Sequence, residues 1–169
     1  MALTPLDEAL DLVLADASCR APAEHCPLSD GLGRVLAEDI CAAVDVPPWD
    51  NSAMDGYALR AAESGKRLQV TQRIPAGTAG QPVEAGTAAR IFTGAPVPPA
   101  ADAVVMQENC RAEGDALELT QAVTAGENIR RRGEDIAQGD VVFSAGRRLQ
   151  SEDLGVLASV GAVRQHGRR

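Results

Sequence analysis

The hydrophobic pattern of this chain changes its period twice, and this change is the strongest constraint on its fold. Apolar residues recur at helical spacing near both ends, whereas in the middle they alternate with polar residues between Gly- and Pro-rich turns. Helical spacing is typical of amphipathic helices, and alternation is typical of strands. We therefore predict an α+β fold, in which a discontinuous α/β platform (residues 1–46 and 139–169) carries an inserted, mostly-β module (residues 47–138). The module's strands are predicted at residues 68–72, 88–92, 103–107 and 116–120.

The two ends supply the predicted helices. Residues 3–17 are predicted to form a helix capped by Thr4, with Pro5 at its first position. A second short helix is expected to begin at Ser29, and a last helix is expected from a cap at residues 151–153 to Gly161. The expected inward-facing residues are Leu6, Leu10, Val13 and Leu14 in the first helix, Leu32, Val35 and Leu36 in the second, and Leu154, Leu157 and Val160 in the last.

Five further segments complete the prediction. Residues 26–28 and 37–46 are expected to be extended, and residues 141–143 form a short apolar strand. The turn at residues 113–115 predicts a hairpin between strands 103–107 and 116–120. The polar tail, residues 164–169, is expected to be frayed.

Composition narrows the class of protein. Aromatic residues make up only 2% of the chain, so the core must be built from Val, Leu, Ile and Ala. The net charge of −8 argues against nucleic acid or an anionic membrane as a general partner. No stretch reaches the roughly 18 apolar residues of a membrane helix, and the acidic start lacks the basic region of a signal peptide. The spacing of Cys19, Cys26, Cys41 and Cys110 does not match a zinc site. Their even number could suggest disulfides, but the missing signal peptide predicts a cytoplasmic protein with free thiols.

The most distinctive segment is residues 47–58 (PPWDNSAMDGYA), which holds the only Trp and the only Tyr. Its prolines restrict the backbone, and its polar residues favour tight turns. Such a rigid segment can present carboxylate, amide and hydroxyl groups to a small molecule or a metal. The alternatives are an ordinary surface turn and, for Trp49, a core anchor. The side chains able to bond backbone N–H groups are Asp50, Asn51 and Ser52, and a second turn follows at Asp55.

Two further stretches carry candidate binding residues. The arginines at 130–132 can bind an oxyanion, because guanidinium groups match phosphate geometry. The alternative is that they pair with the neighbouring carboxylates of Glu127, Glu134 and Asp135. Thr93 lies where a predicted strand enters a Pro-rich loop, so its hydroxyl can face a ligand or cap the turn. Phosphate-loop, zinc-protease and hydrolase-elbow motifs are absent from the sequence, and its two histidines do not support a nucleophilic triad.

Three of these stretches, in this order and spacing, resemble motifs in the N-terminal half of the molybdopterin molybdenumtransferase family, which includes the bacterial MoeA proteins and the gephyrin E domain. They are residues 48–58 (PWDNSAMDGYA), 90–98 (RIFTGAPVP) and 126–135 (GENIRRRGED). Residues 102–108 (DAVVMQE) are similar to the strand that follows the family's Thr-Gly loop. The resemblance extends from the first helix to about residue 163 and implies the family's N-terminal fold.

The resemblance also implies an activity and its residues. The implied reaction transfers molybdate into adenylylated molybdopterin with release of AMP and with Mg²⁺, in a homodimer whose active cleft lies between protomers. The family's important aspartate matches Asp55 and its important threonine matches Thr93, which are the candidate catalytic residues. A carboxylate could hold a cation or bind the pterin, and a hydroxyl could contact phosphate. No metal ligands are assigned, and the candidate cofactor-binding residues are Asp50, Asn51, Ser52, Arg130, Arg131 and Arg132.

Family members continue beyond the matched region into a substrate-binding α/β domain and a small β domain. We therefore expect this chain to be the N-terminal part of a molybdenum insertase and to be inactive alone. Two alternatives remain open: a non-enzymatic dimerisation or scaffold module of the same fold, and an independent carboxylate-dependent metal enzyme. Apolar surface on the terminal helices predicts self-association through the platform.

Overall fold

The computed structural model describes residues 4–15, 21–162 and 164–168. Within these ranges the fold is α+β and mostly β, which confirms the predicted fold class. Cys19 and the ends of the predicted first helix lie outside the described residues. The described helices are α1 (Leu6–Ala15) and α2 (Ser151–Ser159), and the strands are β1 (Glu24–Pro27), β2 (Val35–Leu36), β3 (Ile40–Cys41), β4 (Asn51–Ser52), β5 (Gly56–Leu59), β6 (Leu68–Ile74), β7 (Thr87–Ile91), β8 (Ala103–Met106), β9 (Cys110–Glu113), β10 (Ala116–Leu119), β11 (Ile129–Arg130), β12 (Val141–Phe143) and β13 (Arg164–Arg168).

Six strands form the largest sheet, in the order β8-β5-β7-β6-β10-β9. Strands β6 and β7 run parallel, and the other neighbours are antiparallel. Successive side chains of a strand point to opposite faces, so the two faces carry separate aliphatic clusters. One cluster is Ala58, Ile74, Val83, Ala89, Ile91, Ala95 and Val104, and the other is Leu59, Leu68, Ala88, Ala103, Val105, Leu117 and Val123.

At Gly56 the neighbouring strand leaves no room for a side chain. A Cβ at this position would lie 1.9 Å from the backbone oxygen of Val105 on the neighbouring strand β8. The glycine therefore allows β5 and β8 to approach closely immediately after Asp55. This close approach fixes the position of Asp55 at the end of the sheet.

A third cluster lies outside this sheet. Leu36, Leu149 and Leu157 are buried together, with partly buried side chains from residues 28–40 and 143–162 around them. The surrounding strands are the three-stranded sheet β1-β13-β2 and the pair β3–β12. None of the cluster's residues belongs to the six-stranded sheet. The domain boundaries proposed from sequence, after residues 46 and 138, remain a prediction.

Several local predictions were wrong. The predicted second helix is a single 3₁₀ turn (Leu28–Asp30) followed by strand β2, and Leu32 is exposed. The segment 37–46, predicted to be extended throughout, is extended only in part: it contains the two-residue strand β3 and an isolated bridge between Val46 and Ile136. The last helix is capped by Gln150, whose N–H donates to the carboxylate of Asp153, rather than by Ser151. The turn at residues 113–115 joins β9 to β10, whereas β8 pairs with β5.

The tail prediction was also wrong. Residues 164–168 form strand β13, which lies between β1 and β2 and pairs antiparallel with both. This strand is polar, so its sequence carries no alternation of apolar residues, and its order comes from main-chain pairing on both sides.

Helix α1 forms where predicted, but it buries none of its residues. Leu6, Leu12 and Val13 are 80%, 65% and 69% exposed, respectively. The apolar face predicted to point inward is therefore on the surface of this chain. Neither described helix has the length and hydropathy needed to cross a membrane.

Candidate functional site

Asp55 and Thr93, the two candidate catalytic residues, are hydrogen-bonded to each other. The Oδ1 atom of Asp55 accepts the Thr93 backbone N–H at 2.8 Å and the Thr93 hydroxyl at 2.7 Å. Asp55 comes directly before β5 and Thr93 comes two residues after β7, and these two strands are neighbours. The antiparallel register pairs Gly56 with Ile91, which brings both side chains to the same end of the sheet.

The loop after Thr93 is fastened to the segment before Asp55. Gly94 N–H donates to Ser52 O at 2.8 Å, and Ser52 N–H donates to Ala95 O at 2.9 Å. Val97 N–H then donates to Asp50 O at 2.9 Å. These main-chain bonds hold two of the recognisable sequence stretches side by side and set the position of Thr93.

Hydrogen bonds from Thr93 lower the pKa of the Asp55 carboxyl, the backbone N–H having the larger effect and the hydroxyl the next, with a smaller electrostatic contribution from Arg90. Asp55 is therefore an exposed carboxylate held in its charged form. Its other oxygen, Oδ2, accepts no hydrogen bond from the part of the chain that the structure describes. This leaves a fixed negative oxygen available to a ligand.

Arg90 is a neighbour of this pair that the sequence analysis did not single out. Its Nη1 donates to the backbone oxygens of Gly56 and Ile91 at 2.8 and 3.0 Å, and its Nη2 donates to Gln107 Oε1 at 2.5 Å. The guanidinium also lies 4.5 Å from the centre of the Phe92 ring. The signal was present in the sequence, since a charged residue inside an otherwise apolar strand needs partners.

The arginines at 130–132 are paired with carboxylates. Arg130 pairs with Asp135, as one alternative predicted, but the partners of the other two come from far along the chain. Arg131 Nη1 lies 2.6 Å from Asp50 Oδ2, and Arg132 Nε lies 2.5 Å from Asp45 Oδ2. The carboxylates of Glu127 and Glu134 accept backbone N–H groups instead.

Asp50 connects this arginine segment to the central stretch. Its Oδ1 accepts the Arg132 backbone N–H at 2.8 Å, so Asp50 bonds a main-chain N–H as predicted. This bond is the main cause of the lowered pKa of Asp50, and the Arg131 guanidinium lowers it further. The other two predicted caps behave differently. Ser52 is buried and donates its hydroxyl to Met54 O, and Asn51 Oδ1 is buried with no hydrogen-bond partner among the described residues.

The candidate residues thus form two groups. Asp55 and Thr93 lie together with Arg90 at the end of the six-stranded sheet. Asp50, Arg131 and Arg132 form an ion-paired group joined to it through the two-stranded ladder β4–β11, in which Asn51 pairs with Arg130. Trp49 is 52% exposed, so the interpretation of it as a core anchor was wrong.

Among the described cysteines, Cys110 lies near Arg90 but is not a reactive thiol. Cys26, Cys41 and Cys110 are free thiols, as predicted for the described part of the chain. Burial raises the pKa of Cys110 to about 11, and its Sγ–H donates to Met106 O at 3.4 Å. A thiol with such a pKa stays protonated at neutral pH and is a poor nucleophile.

The donor set limits what metal these residues could hold. Within residues 4–15, 21–162 and 164–168, no group of three or more His, Cys, Asp or Glu side chains is arranged to hold an ion. Mg²⁺ is commonly bound by one or two carboxylates together with water and substrate phosphates. The free Oδ2 of Asp55 fits one such ligand, with the other ligands supplied from outside this group.

Comparison with known proteins identifies the family. The family model described as the MoeA N-terminal region (domain I and II) matches residues 4–161, and the chain belongs to this family. The chain is 38% identical over 165 residues to a molybdopterin molybdenumtransferase of Synechococcus elongatus, a match that covers 90% of this chain and 40% of the relative. It is 42% identical over 146 residues to molybdopterin molybdenumtransferase 2 of Mycobacterium tuberculosis, covering 80% of this chain and 35% of the relative.

The fold matches a solved structure of the same family. The crystal structure of the molybdopterin biosynthesis MoeA protein from Pyrococcus horikoshii OT3 has a TM-score of 0.90 and 37% identity, over 99% of this chain and 46% of that chain. The chain thus spans less than half the length of these relatives.

Proposed function

We propose that this chain is the N-terminal part of a molybdenum insertase of molybdenum cofactor biosynthesis, which transfers molybdate into adenylylated molybdopterin with release of AMP. The observation that carries the proposal is the Asp55–Thr93 pair. The names of the relatives, molybdopterin molybdenumtransferases, support the reaction class. The proposed substrates are therefore adenylylated molybdopterin and molybdate, and the proposed location is the cytoplasm.

In this proposal Asp55 and Thr93 act as one unit. Thr93 donates both its backbone N–H and its hydroxyl to Oδ1, which orients the carboxylate and keeps it ionised. The free Oδ2 then faces the substrate, where it accepts an N–H of the pterin or serves as a ligand of Mg²⁺. When bound there, Mg²⁺ would supply positive charge to neutralise substrate phosphates. The Thr93 oxygen keeps its lone pairs and can accept a hydrogen bond from the substrate.

We further propose that residues 1–46 and 139–169 form the platform and residues 47–138 form the module, and that two chains associate through the platform. The third hydrophobic cluster, drawn from residues 28–40 and 143–162, supports the division. The exposed apolar residues of α1 support the association, because a helix that buries no residue against its own chain leaves apolar surface available for a partner.

The central test replaces the N-terminal region of a full-length family member with residues 1–162 of this chain. We expect the chimaera to insert molybdenum into adenylylated molybdopterin and to release AMP, and the 169-residue chain alone to be inactive. A chimaera that folds and dimerises but inserts no molybdenum would contradict the insertase proposal and favour a scaffold module. Turnover by the chain alone would favour an independent metal enzyme.

A further inference from the structure

We propose that Arg73 and Arg90 form a binding site for a tetrahedral oxyanion, beside the Asp55–Thr93 pair. The site follows from the register of the sheet. In the parallel pairing of β6 with β7, Arg73 lies opposite Arg90, and in the pairing of β5 with β7, Tyr57 lies opposite Arg90. Residues paired across strands share a face, so Tyr57, Arg90 and Arg73 form a row across three strands.

A β-bulge puts Arg73 in this row. The register of β6 against β7 shifts between Val70 and Gln72, so the alternation of side chains is displaced by one residue. Before the bulge, Leu68 packs in the cluster on the same face as Tyr57. After the bulge, Ile74 packs in the cluster on the opposite face, and its neighbour Arg73 therefore lies on the face of Arg90.

Both guanidinium groups are held against aromatic rings. Arg73 and Arg90 lie 4.6 and 4.5 Å from the centre of the Phe92 ring, and Arg90 lies 5.2 Å from the centre of the Tyr57 ring. Cation–π contacts of this kind hold an arginine in place without neutralising its charge. The row thus presents two cationic groups whose positions are fixed by the same ring.

Although Arg90 interacts electrostatically with the Asp55 carboxylate, neither guanidinium forms an ion pair with a carboxylate among the described residues. Arg73 has no ion pair and no hydrogen-bond acceptor there, whereas each arginine at 130–132 has a carboxylate partner. Arg90 uses both Nη1–H groups and one Nη2–H on neutral oxygens. Its Nε–H and second Nη2–H have no acceptor in the described part of the chain. Unused donors on two neighbouring guanidinium groups suit the several oxygens of a dianion.

The row opens into a cleft with a volume of about 460 Å³. Its walls include Tyr57, Arg73 and Arg90 on one side and the hairpin turn at Gly114 and Asp115 on the other. Asp115 would repel an anion at the hairpin side, so we place the oxyanion at the guanidinium side. The cleft is large enough for an oxyanion that is attached to a larger molecule.

The identity of the oxyanion rests on the proposed function, in which it is either a phosphate group of adenylylated molybdopterin or molybdate. The existence of the binding site does not rest on the proposed function, because anion binding is measured without any reaction. Binding by a chain whose chimaera is inactive would overturn the proposed function and leave the site standing. If the chimaera is active but the chain binds no oxyanion, the binding site is overturned and the proposed function stands.

The test follows the arginine Nε–H signals of the ¹⁵N-labelled 169-residue chain while sodium phosphate, and separately sodium molybdate, is added at constant ionic strength. We expect saturable shifts of the Arg73 and Arg90 signals with at least one of the two anions, and saturation by one alone would identify the source. Arg73→Gln should weaken binding at least tenfold. Arg60→Gln removes the same charge from an exposed arginine that is not in the cleft, and it should bind like the parent.

Shifts that grow linearly with both anions, or equal binding by the parent and Arg73→Gln, would overturn the proposal. Phe92→Leu provides a second variant that leaves the charge unchanged. It removes the ring on which both guanidinium groups lie and should weaken binding by several-fold, with the backbone amide spectrum reporting that the sheet is intact. Unaltered binding by this variant would show that the ring does not organise the site.

Discussion

Thr93 donates two hydrogen bonds to a single oxygen of Asp55, although the residues are 38 positions apart in the chain. The bonds have two consequences. They hold the loop after β7 against the residue that precedes β5, and they stabilise the ionised form of Asp55. Asp55 is thus both a link between two loops and an exposed charged group, and its two roles can be separated by substitution.

Asp55→Asn is the substitution that separates them, because the amide keeps an oxygen that can accept both bonds from Thr93 while the charge is lost. In a chimaeric insertase carrying this chain, we expect the variant to keep its melting temperature within a few degrees and to insert molybdenum at least about tenfold more slowly. Thr93→Ala should have a milder effect on the rate. The measurements are AMP release and thermal unfolding.

The control for the Asp55→Asn and Thr93→Ala variants is Glu84→Gln. It neutralises an exposed carboxylate on the loop before β7 and should leave the rate of molybdenum insertion unchanged. Insertion by Asp55→Asn at the parent rate would rule out a functional role for the charge. Unfolding of Asp55→Asn would show instead that the residue acts in folding.

Gly56→Ala tests the close approach of β5 and β8. The added Cβ would lie 1.9 Å from Val105 O, a backbone atom that cannot move without separating the strands. We expect a loss of about 3 kcal/mol or more in the free energy of unfolding, measured with urea. The matched variant is Gly155→Ala in helix α2, where nothing lies within 4 Å of the added Cβ. It should stabilise the protein by up to about 1 kcal/mol, and equal effects of the two variants would contradict the register of β5.

Leu157→Ala tests the third hydrophobic cluster. Leu157 is fully buried against Leu36 and Leu149, so its truncation should lower the free energy of unfolding by about 2–5 kcal/mol. Leu32→Ala makes the same chemical change at a turn residue whose side chain is 60% exposed, and it should change the free energy of unfolding by less than about 0.5 kcal/mol. A small effect of Leu157→Ala in urea unfolding would mean that α2 does not pack as described.

Asp50 gives a prediction about pH. Its pKa is lower in the folded chain than the usual value of about 4, because the carboxylate accepts the Arg132 N–H and pairs with Arg131. Its ionised form therefore stabilises the fold above about pH 4, and this contribution is lost as the pH falls through the folded-state pKa. We expect Asp50→Asn to lower the melting temperature at pH 7 and to have a shrinking effect as the pH approaches 3. A difference in melting temperature that stays constant with pH would contradict the ion pair.

The exposed face of α1 predicts self-association. Substituting Leu10 and Val13 together by Glu places charges on that face, and sedimentation equilibrium should then show a monomer where the parent forms a dimer. Asp11→Ala, on the same helix, should leave the parent's association unchanged. A parent chain that remains monomeric at high concentration would contradict association through this helix.

The sequence was most informative where a segment determines its own structure. Strands β6 and β10 were predicted closely, because their alternation of apolar and polar residues is a local property. Residues 32–36 were predicted as a helix because Leu32, Val35 and Leu36 fit helical spacing. Leu36 is instead buried in a strand that pairs with β13, whose residues lie more than a hundred positions later. The pattern of residues 32–36 alone carries no information about a strand so far along the chain.

At the candidate site, too, the sequence indicated individual residues but not the contacts between them. Asp55 and Thr93 were found from motifs, but their mutual hydrogen bond depends on the register of β5 against β7. Arg73 was not found, because its face is set by a bulge in a strand that otherwise alternates regularly. Arg131 and Arg132 were expected to pair with nearby carboxylates or to bind an anion, and their partners Asp50 and Asp45 lie 81 and 87 positions earlier in the chain.

The central position of β13 also imposes an order on folding during synthesis. All strands of the six-stranded sheet come from residues 56–119, so this sheet can form as soon as that stretch has left the ribosome. The sheet β1-β13-β2 joins Glu24 to Gly167 and must wait until residues 164–168 have left the ribosome. Until then β1 and β2 lack the strand that lies between them, and closing so long a loop is slow. Strands β1 and β2 are therefore made first but gain their shared partner only after the residues of the six-stranded sheet are free to fold.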